Sequence, residues 1–209
     1  QADYIAQKMR LPVAKPYKPT PFVEEPTFEN VKASRLTSPA LLKYLADRGI
    51  SRDIAQRYCV QVDYELHGKQ YYAIGFENNA NGYELRNPFF KGSYPPKHIT
   101  HIVNGNARCN VFEGFIDFLS AERLGFNDGM DSVVLNPVSN VAKAIIPWAD
   151  YTVIQCYLDN DAAGRAALAR LRREFDDRVM DKSALYPDNK DLNDYLMSLY
   201  QKKSSKLKL

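Results

Sequence analysis

From Asn110 onward, short apolar runs alternate with longer segments of helical periodicity. RCNVFEG is followed by FIDFLSAERLG, SVVLNPV by VAKAIIPWA, YTVIQCYLDN by AAGRAALARLRREF, and KSALYPD by LNDYLMSLYQ. Repeated strand–helix pairs leave few folds open. Neighbouring parallel strands need a crossover of about a dozen residues or more, usually a helix, and those helices cover the sheet. The spacing predicts an α/β fold with a parallel sheet flanked by helices. KSALYPD is the weakest of the four strand signals.

The preceding segment is built differently. Ser38 can cap a helix and Pro39 suits its first turn. Leu41, Leu42 and Leu45 give that helix an apolar stripe, and Gly49 ends it. Ser51 opens a second helix with Ile54 and Tyr58 on one face. Tyr64, Leu66, Tyr71, Tyr72, Ile74 and Phe76 then lie in strand-like runs, with a hairpin turn expected near Asn81-Gly82. FFKGSYPPKHITHI is basic, aromatic and broken by proline, and is expected to be an exposed loop. Pro12, Pro16, Pro19, Pro21 and Pro26 make the start of the chain read as a tether, partly held by Tyr17, Phe22 and Phe28. The expected organisation is a Pro-rich linker over residues 1–35, a small α+β subdomain over 36–104, an α/β domain over 105–200 and a basic tail over 201–209. Trp148 is expected in the core or at a helix end.

Composition excludes some functions. With 45% hydrophobic and 25% charged residues, the 209-residue chain can bury a core. No apolar run approaches the roughly 18 residues of a membrane span, and the start lacks a signal-peptide core. A net charge of +3 permits a nucleic-acid partner without requiring one. The chain opens on Gln1 rather than Met and is read as a piece of a longer one. Cys59, Cys109 and Cys156 form no CxxC pair, which points to a reducing, cytoplasmic setting. His98 and His101 have no further Cys or His at zinc-finger spacing.

In an open parallel sheet, sites form beyond the carboxyl ends of the strands. Glu113-Gly114 follows the first strand, with Asp117 one helical turn on. Asp159-Asn160-Asp161 and then Ala162-Ala163-Gly164-Arg165 follow the third. Asp188-Asn189-Lys190-Asp191 follows the fourth, with Asn193 and Asp194 close behind. Crowded carboxylates repel, and a divalent cation relieves the repulsion. A cluster without His or Cys suits Mg²⁺ or Mn²⁺ better than Zn²⁺. Such ions support phosphoryl or nucleotidyl transfer, and the small residues Ala162 to Gly164 let phosphate approach a helix N-terminus. Each acid also has a plainer reading. Asp159 and Asp161 could cap a helix, Glu113 could be a solvated strand end, and Asp117 a helix-face charge. Their conjunction, in this order on these elements, favours the metal.

These motifs resemble the Toprim domain, in the version found in bacterial-type DNA primases. Glu113-Gly114-Phe115-Ile116-Asp117 is similar to its EGxxD motif, Asp159-Asn160-Asp161-Ala162-Ala163-Gly164-Arg165 to DxDxAGR, and Lys190 to Leu196 to its late KDPDDYL-like run. The resemblance covers about residues 105–200. More loosely, LLKYLADRGISRDIAQRY, YAIGFENNANGYELRN and SYPPKHIT are similar to the helical opening, hairpin and lysine-bearing segment of a primase core. The resemblance implies catalytic roles for Glu113, Asp159 and Asp161, and Mg²⁺ or Mn²⁺ ligation by Glu113, Asp117, Asp159, Asp161 and Asp191. It suggests Arg86 and Lys97, with the neighbouring Lys91, as contacts to nucleic acid or nucleotide. Asn193 stands where the late motif usually carries an acid, and LNPVSNVAKA departs from the family's LGTALT-like segment. The expected function is primer synthesis on single-stranded DNA from nucleoside triphosphates, with a replicative helicase as a further partner and a zinc module in the chain upstream. A Toprim nuclease, or a nucleic-acid-binding replication module with a degenerate metal site, are the alternatives.

Overall fold

The computed structural model describes residues 27–127, 129–144 and 150–206. The prolines up to Pro26, Tyr17, Phe22 and Trp148 lie outside the described residues.

The first half is an antiparallel sheet with a helical pair. Strands β1 (Glu29–Arg35), β2 (Val60–Leu66), β3 (Lys69–Glu77), β4 (Tyr83–Asn87) and β5 (Phe90–Tyr94) lie side by side in chain order. Helices α1 (Pro39–Ala46) and α2 (Arg52–Tyr58) interrupt the run between β1 and β2. Their starts follow local chemistry: the Ser38 and Ser51 hydroxyls accept from the N–H groups of Leu41 and Ile54. The β3–β4 turn closes around Asn78, whose Oδ1 accepts from the N–H groups of Ala80 and Gly82, while Asn81 takes the left-handed conformation.

Two expectations need correction here. Residues 29–35, read as the end of the tether, are a strand. Proline density stops at Pro26, and Phe28 packs its ring 5.2 Å from Tyr64 and 5.5 Å from Tyr94. FFKGSYPPKHITHI is not a loop either. It supplies β5 and then β6 (Thr100–Ile102). On β5, alternation turns Phe90 and Tyr94 onto the outer sheet face, against a cluster built on Val62, Tyr64, Ala73 and Leu85. The two prolines, Pro95 and Pro96, fall between the strands. Of this aromatic stretch, Phe89 stays 97% exposed at the β4–β5 turn.

The second half is the expected α/β unit. Its sheet runs β10 (Val179–Asp181), β9 (Val153–Tyr157), β7 (Arg108–Phe112), β8 (Asp131–Val134), β6. β7 pairs in parallel with β8 and β9, and β9 with β10, while β6 lies antiparallel on the edge. The helices are α3 (Phe115–Leu124), α4 (Val141–Ala144), α5 (Ala162–Phe175) and α6 (Leu192–Lys206). The last strand precedes KSALYPD instead of coinciding with it. Asp181 Oδ1 accepts from both the N–H and the hydroxyl of Ser183. That local bonding winds Ser183–Leu185 into a 3₁₀ turn where a strand was expected.

The central strands are buried on both faces. On β7, Cys109 and Val111 enter one core with Ile154, Leu171 and Phe175, while Phe112 enters the other. That second core contains Leu41 and Leu45 of α1, Ile74 and Phe76 of β3, Phe115 and Phe118 of α3, and Leu196 of α6. One continuous apolar cluster thus joins the two halves and fixes the distance between their facing surfaces. No helix among the described residues is long and apolar enough to cross a membrane.

Candidate active site

Between the β4–β5 ribbon and the carboxyl ends of β7, β8 and β9 lies a cleft of about 370 Å³. Each acid reaches it for a local reason. Glu113 is the first residue beyond β7, and Gly114 begins α3 without a capping side chain, so Asp117 falls in the first turn and is buried. Asp159 follows β9. Asp191 precedes α6, where its Oδ1 accepts from the Asp194 N–H at 2.8 Å. Asn160 ties these last two segments together. Its N–H donates to the Lys190 carbonyl at 2.7 Å, and its Nδ2 to the carbonyls of Tyr186 and Asn189, both at 2.9 Å.

Glu113, Asp117, Asp159 and Asp191 therefore line one cleft, and Arg86 and Lys91 line the same cleft from the opposite wall. Arg86 and Lys91 are register partners across β4 and β5, so they share a face. Two of the sequence-predicted residues are placed elsewhere. Asp161 caps α5, accepting from the N–H groups of Ala163 and Gly164 at 2.9 and 3.0 Å. Lys97 is exposed and outside the cleft lining; its carbonyl accepts from Lys143 Nζ at 2.7 Å.

The electrostatics of the cleft follow from crowding. Burial, then the charges of Asp159 and Asp161, push the Glu113 carboxyl up to about 7. Burial, then Asp191 and Asp159, hold Asp117 well above the usual carboxylate range. Burial and Asp191 raise Asp159, against Lys190, whose ammonium stands 3.4 Å away. Asp161 goes the other way, lowered chiefly by the Gly164 N–H.

The structure also adds residues that the sequence did not single out. Arg48, in the turn between α1 and α2, lines the cleft, as do Lys190, Glu84 and Asn136. Glu84 was open to detection, since it sits two residues before Arg86 on the same strand face. Arg48 and Asn136 carry no sequence signal of this kind. Five buried side-chain atoms among the described residues lack a hydrogen-bond partner, and four of them, on Glu84, Arg86, Glu113 and Asn136, line this cleft. Buried polar groups are nearly always paired, so their concentration here marks a place that a ligand completes.

The donor set suits a hard divalent cation: carboxylate oxygens, an unpaired one on Glu113, and mutual repulsion waiting to be neutralised. Among the described residues no three such groups stand close enough to hold an ion outright. Mg²⁺ does not require this, since it takes one or two carboxylates and completes its shell with water and phosphate.

Asn193, at the family's acid position, has a different task. Its side chain is buried. Nδ2 donates to the Arg48 carbonyl at 2.9 Å and to Ser120 Oγ at 3.0 Å, and Oδ1 accepts from Arg48 Nη1 at 3.1 Å. Its N–H donates to Asp117 Oδ1 at 3.3 Å. It pins the helical pair to α3 and holds Arg48 at the cleft. Asn193→Ala is expected to lower stability by about 2–3 kcal/mol, because it orphans several buried partners at once. Urea unfolding checks this, and an unchanged midpoint would refute the pinning role.

The comparisons agree with this geometry. Residues 110–196 match the family model described as Toprim-like, and residues 30–95 match a domain of unknown function, DUF8464. No curated protein matches the chain. The primase fragment of the bacteriophage T7 primase-helicase protein superposes with a TM-score of 0.58 at 18% identity, covering 88% of this chain and 81% of that one. The T7 primase domains seen with the lagging-strand DNA polymerase, bound to an RNA/DNA hybrid and dTTP, give 0.56 at 18%, covering 85% and 91%. The Aquifex aeolicus primase, in its zinc-binding and RNA polymerase domains, gives 0.56 at 13%, covering 83% of this chain and 56% of that one. Residues 110–196 are thus a Toprim-like domain, and the chain shares the fold of these primase fragments.

Proposed function

We propose that this protein is a primase-like, metal-dependent nucleotidyltransferase that synthesises primers on single-stranded DNA in the cytoplasm. The observation that carries the reading is the convergence of Glu113, Asp117, Asp159 and Asp191 on one cleft whose walls carry Arg48, Arg86, Lys91 and Lys190. Acids that hold a cation, facing cations that hold phosphates, are what nucleoside triphosphates require.

Glu113, Asp117, Asp159 and Asp191 would hold Mg²⁺ or Mn²⁺, which when bound stabilises charge on the attacking and leaving oxygens. The unpaired Oε2 of Glu113, whose carboxyl is pushed up to about 7 in the metal-free cleft, would serve as a cation ligand or as the base for a primer 3′-hydroxyl. Lys190, with its ammonium 3.4 Å from Asp159, opposes the rise that burial and Asp191 impose on that carboxyl, and would give way to a bound cation. Asp161 acts indirectly, by fixing the start of α5 beside Asp159. Arg48, Arg86 and Lys91 bind phosphates across the cleft. Phe89, free at the β4–β5 turn, offers a stacking face for a template base, with Lys91 and Lys97 near the backbone. A replicative helicase is the expected larger partner; one structural neighbour is a fragment of a primase-helicase protein.

The test is primer synthesis on single-stranded DNA with nucleotides and Mg²⁺ or Mn²⁺, comparing the chain with Asp159→Asn. The expected result is synthesis that falls about a hundredfold or more in the variant. If neither makes primers although template binds, the reading fails. The same reactions without nucleotides then separate a nuclease, which cuts the DNA, from a binding module, which leaves it whole.

A further inference from the structure

On the cationic wall of the cleft stands one acid that belongs to none of the acidic motifs. Glu84 and Arg86 lie two residues apart on β4, so their side chains leave the same face of the strand. Lys91 stands opposite Arg86 on β5, which puts it on that face as well, and all three line the cleft. Lys97 approaches from beyond β5. Its segment is held in place by Asn78 Nδ2, which donates to the Pro96 carbonyl at 2.8 Å, and by Lys143 Nζ, which donates to the Lys97 carbonyl at 2.7 Å. Lys97, then Lys91 and Arg86, are the cations whose charge bears on Glu84. Among the described residues no ion pair joins Glu84 to any of them, and its buried Oε1 has no hydrogen-bond partner. Arg86 Nε is buried and unpaired too.

A carboxylate buried among cations is ordinarily paired with one. A carboxyl left unpaired in that position suits the neutral acid, which carries an O–H. Burial works the same way, pushing the Glu84 carboxyl up to about 7 against the three cations. The acids of the facing wall, Glu113, Asp117, Asp159, Asp191 and Asp194, add negative charge to the cleft, and Arg48 and Lys190 offset part of it. With Glu84 neutral, the ribbon presents three donors together: the Glu84 O–H, the Arg86 guanidinium and the Lys91 ammonium. Ionised phosphate oxygens are acceptors only. With Glu84 ionised, the same carboxyl meets those oxygens as a like charge. We propose that Glu84 makes this wall a proton-linked phosphate site: as a neutral acid it donates to a phosphate oxygen beside Arg86 and Lys91, as a carboxylate it repels that oxygen, and phosphate binding therefore takes up a proton. The phosphate of a nucleotide and that of a strand backbone share this chemistry. The inference rests on the phosphate-binding role given above to Arg86 and Lys91 and adds a control on it by pH.

The experiment is titration calorimetry on the full chain and its Glu84→Gln and Glu84→Ala variants, with divalent metal chelated and cooperative unfolding checked for each. Inorganic tripolyphosphate stands for a nucleotide's phosphates, and an oligodeoxythymidylate without terminal phosphates for a strand backbone. Repeating each titration at pH 7.5 in buffers of different ionisation enthalpy measures the protons taken up. Tripolyphosphate titrates as well, so the uptake that decides is the difference between the chain and Glu84→Gln. That difference is expected to be about half a proton or more, and the chain should bind about tenfold more weakly at pH 8.5 than at pH 6.5. Glu84→Gln keeps a donor and loses the charge, so at pH 8.5 it should bind about tenfold more tightly than the chain. Glu84→Ala loses both, so it should share the flatter pH profile but bind about threefold or more weakly than Glu84→Gln. Uptake with one ligand alone upholds the inference and assigns the site to that source. A pH dependence that survives both variants belongs to the acids of the facing wall and overturns the inference. So does binding with no difference in proton uptake, or an alanine variant as tight as the glutamine one, and each of these leaves phosphate binding standing. Failure of the chain to bind either ligand at any of the three pH values overturns the phosphate-binding reading together with this one.

Discussion

Gly164→Ala is expected to destabilise the fold by about 3 kcal/mol and, on the function proposed above, to lower metal-dependent synthesis about a hundredfold. A Cβ at position 164 would stand 2.2 Å from the Asp159 carbonyl oxygen and 3.0 Å from the Asp159 nitrogen and carbonyl carbon. These are backbone atoms, so no rotamer change relieves the clash; either α5 or the Asp159 backbone must move. Movement is opposed on both sides. The Gly164 N–H donates to Asp161 Oδ1 at 3.0 Å, and Asn160 is held by three bonds to the loop before α6. Overpacking of a site that cannot yield costs about 1–3 kcal/mol and occasionally more, here with the α5 cap at risk as well. For a chain of this length that lowers the melting temperature by roughly 6–12 °C. Because Asp159 and the start of α5 must move apart, synthesis is expected to fall about a hundredfold even at temperatures where the variant stays folded. Thermal unfolding and a primer-synthesis assay read the two effects separately. A melting temperature unchanged within about 2 °C would show that the helix start does not press on Asp159.

Gly164 also illustrates why this region was legible. The need for a side-chain-free residue one turn into α5, a capping acid before it and an acid at the strand end is met within six residues, so the sequence displays it as a motif. The same holds for the two-face burial of β7 and β9 and for the caps at Ser38 and Ser51. Where partners lie far apart in the chain, legibility fails. β5 forms because Phe90 and Tyr94 cover Tyr64 and Phe28, a tertiary reason that overrides the local message of Pro95, Pro96 and the lysines. Strand β10 ends early because Asp181 bonds Ser183, a local competition that apolar patterning does not register.

The cleft divides along the same line. Glu113, Asp117, Asp159 and Asp191 stand in local motifs that the sequence displays, whereas Glu84, within β4, does not. Arg48 reaches the cleft through Asn193, 145 positions away, and Asn136 is oriented by Thr100, 36 positions away. Neither pairing has a sequence signature. Asp161 caps α5 and, by doing so, fixes the segment that follows Asp159.

Without divalent cations, the protein is expected to lose stability as pH rises from about 5 to 8, the reverse of ordinary acid denaturation. Burial raises Glu113 and Glu84 to about 7, with Asp159 and Asp161 adding to the first and Lys97, Lys91 and Arg86 opposing the second. Burial with Asp191 raises Asp117 and Asp159 as well. In the unfolded chain all four titrate near 4. Between those values the folded state holds more protons than the unfolded one, so the slope of stability with pH is negative through that window. His101 works against this trend. Burial lowers it, although Asp131 pulls upward, so it favours the fold as pH rises towards about 6.5. Asp194, raised by burial and Asp191, joins the other carboxylates, so it is one group against five. Solvent screening of the half-exposed carboxyls reduces the sum to about 2–3 kcal/mol, or roughly 4–10 °C in melting temperature. Mg²⁺ competes with protons for the same oxygens, so millimolar Mg²⁺ should raise the melting temperature more at pH 8 than at pH 5.5. Asp159→Asn should shrink both effects, since it removes a charge that burdens Glu113 and Asp117. Differential scanning calorimetry at the two pH values, with Mg²⁺ or with chelator, measures all of this. A metal-free melting temperature that rises towards pH 8, or a Mg²⁺ increment equal at both pH values, would mean that Glu113, Asp117 and Asp159 do not act as one cation-seeking cluster.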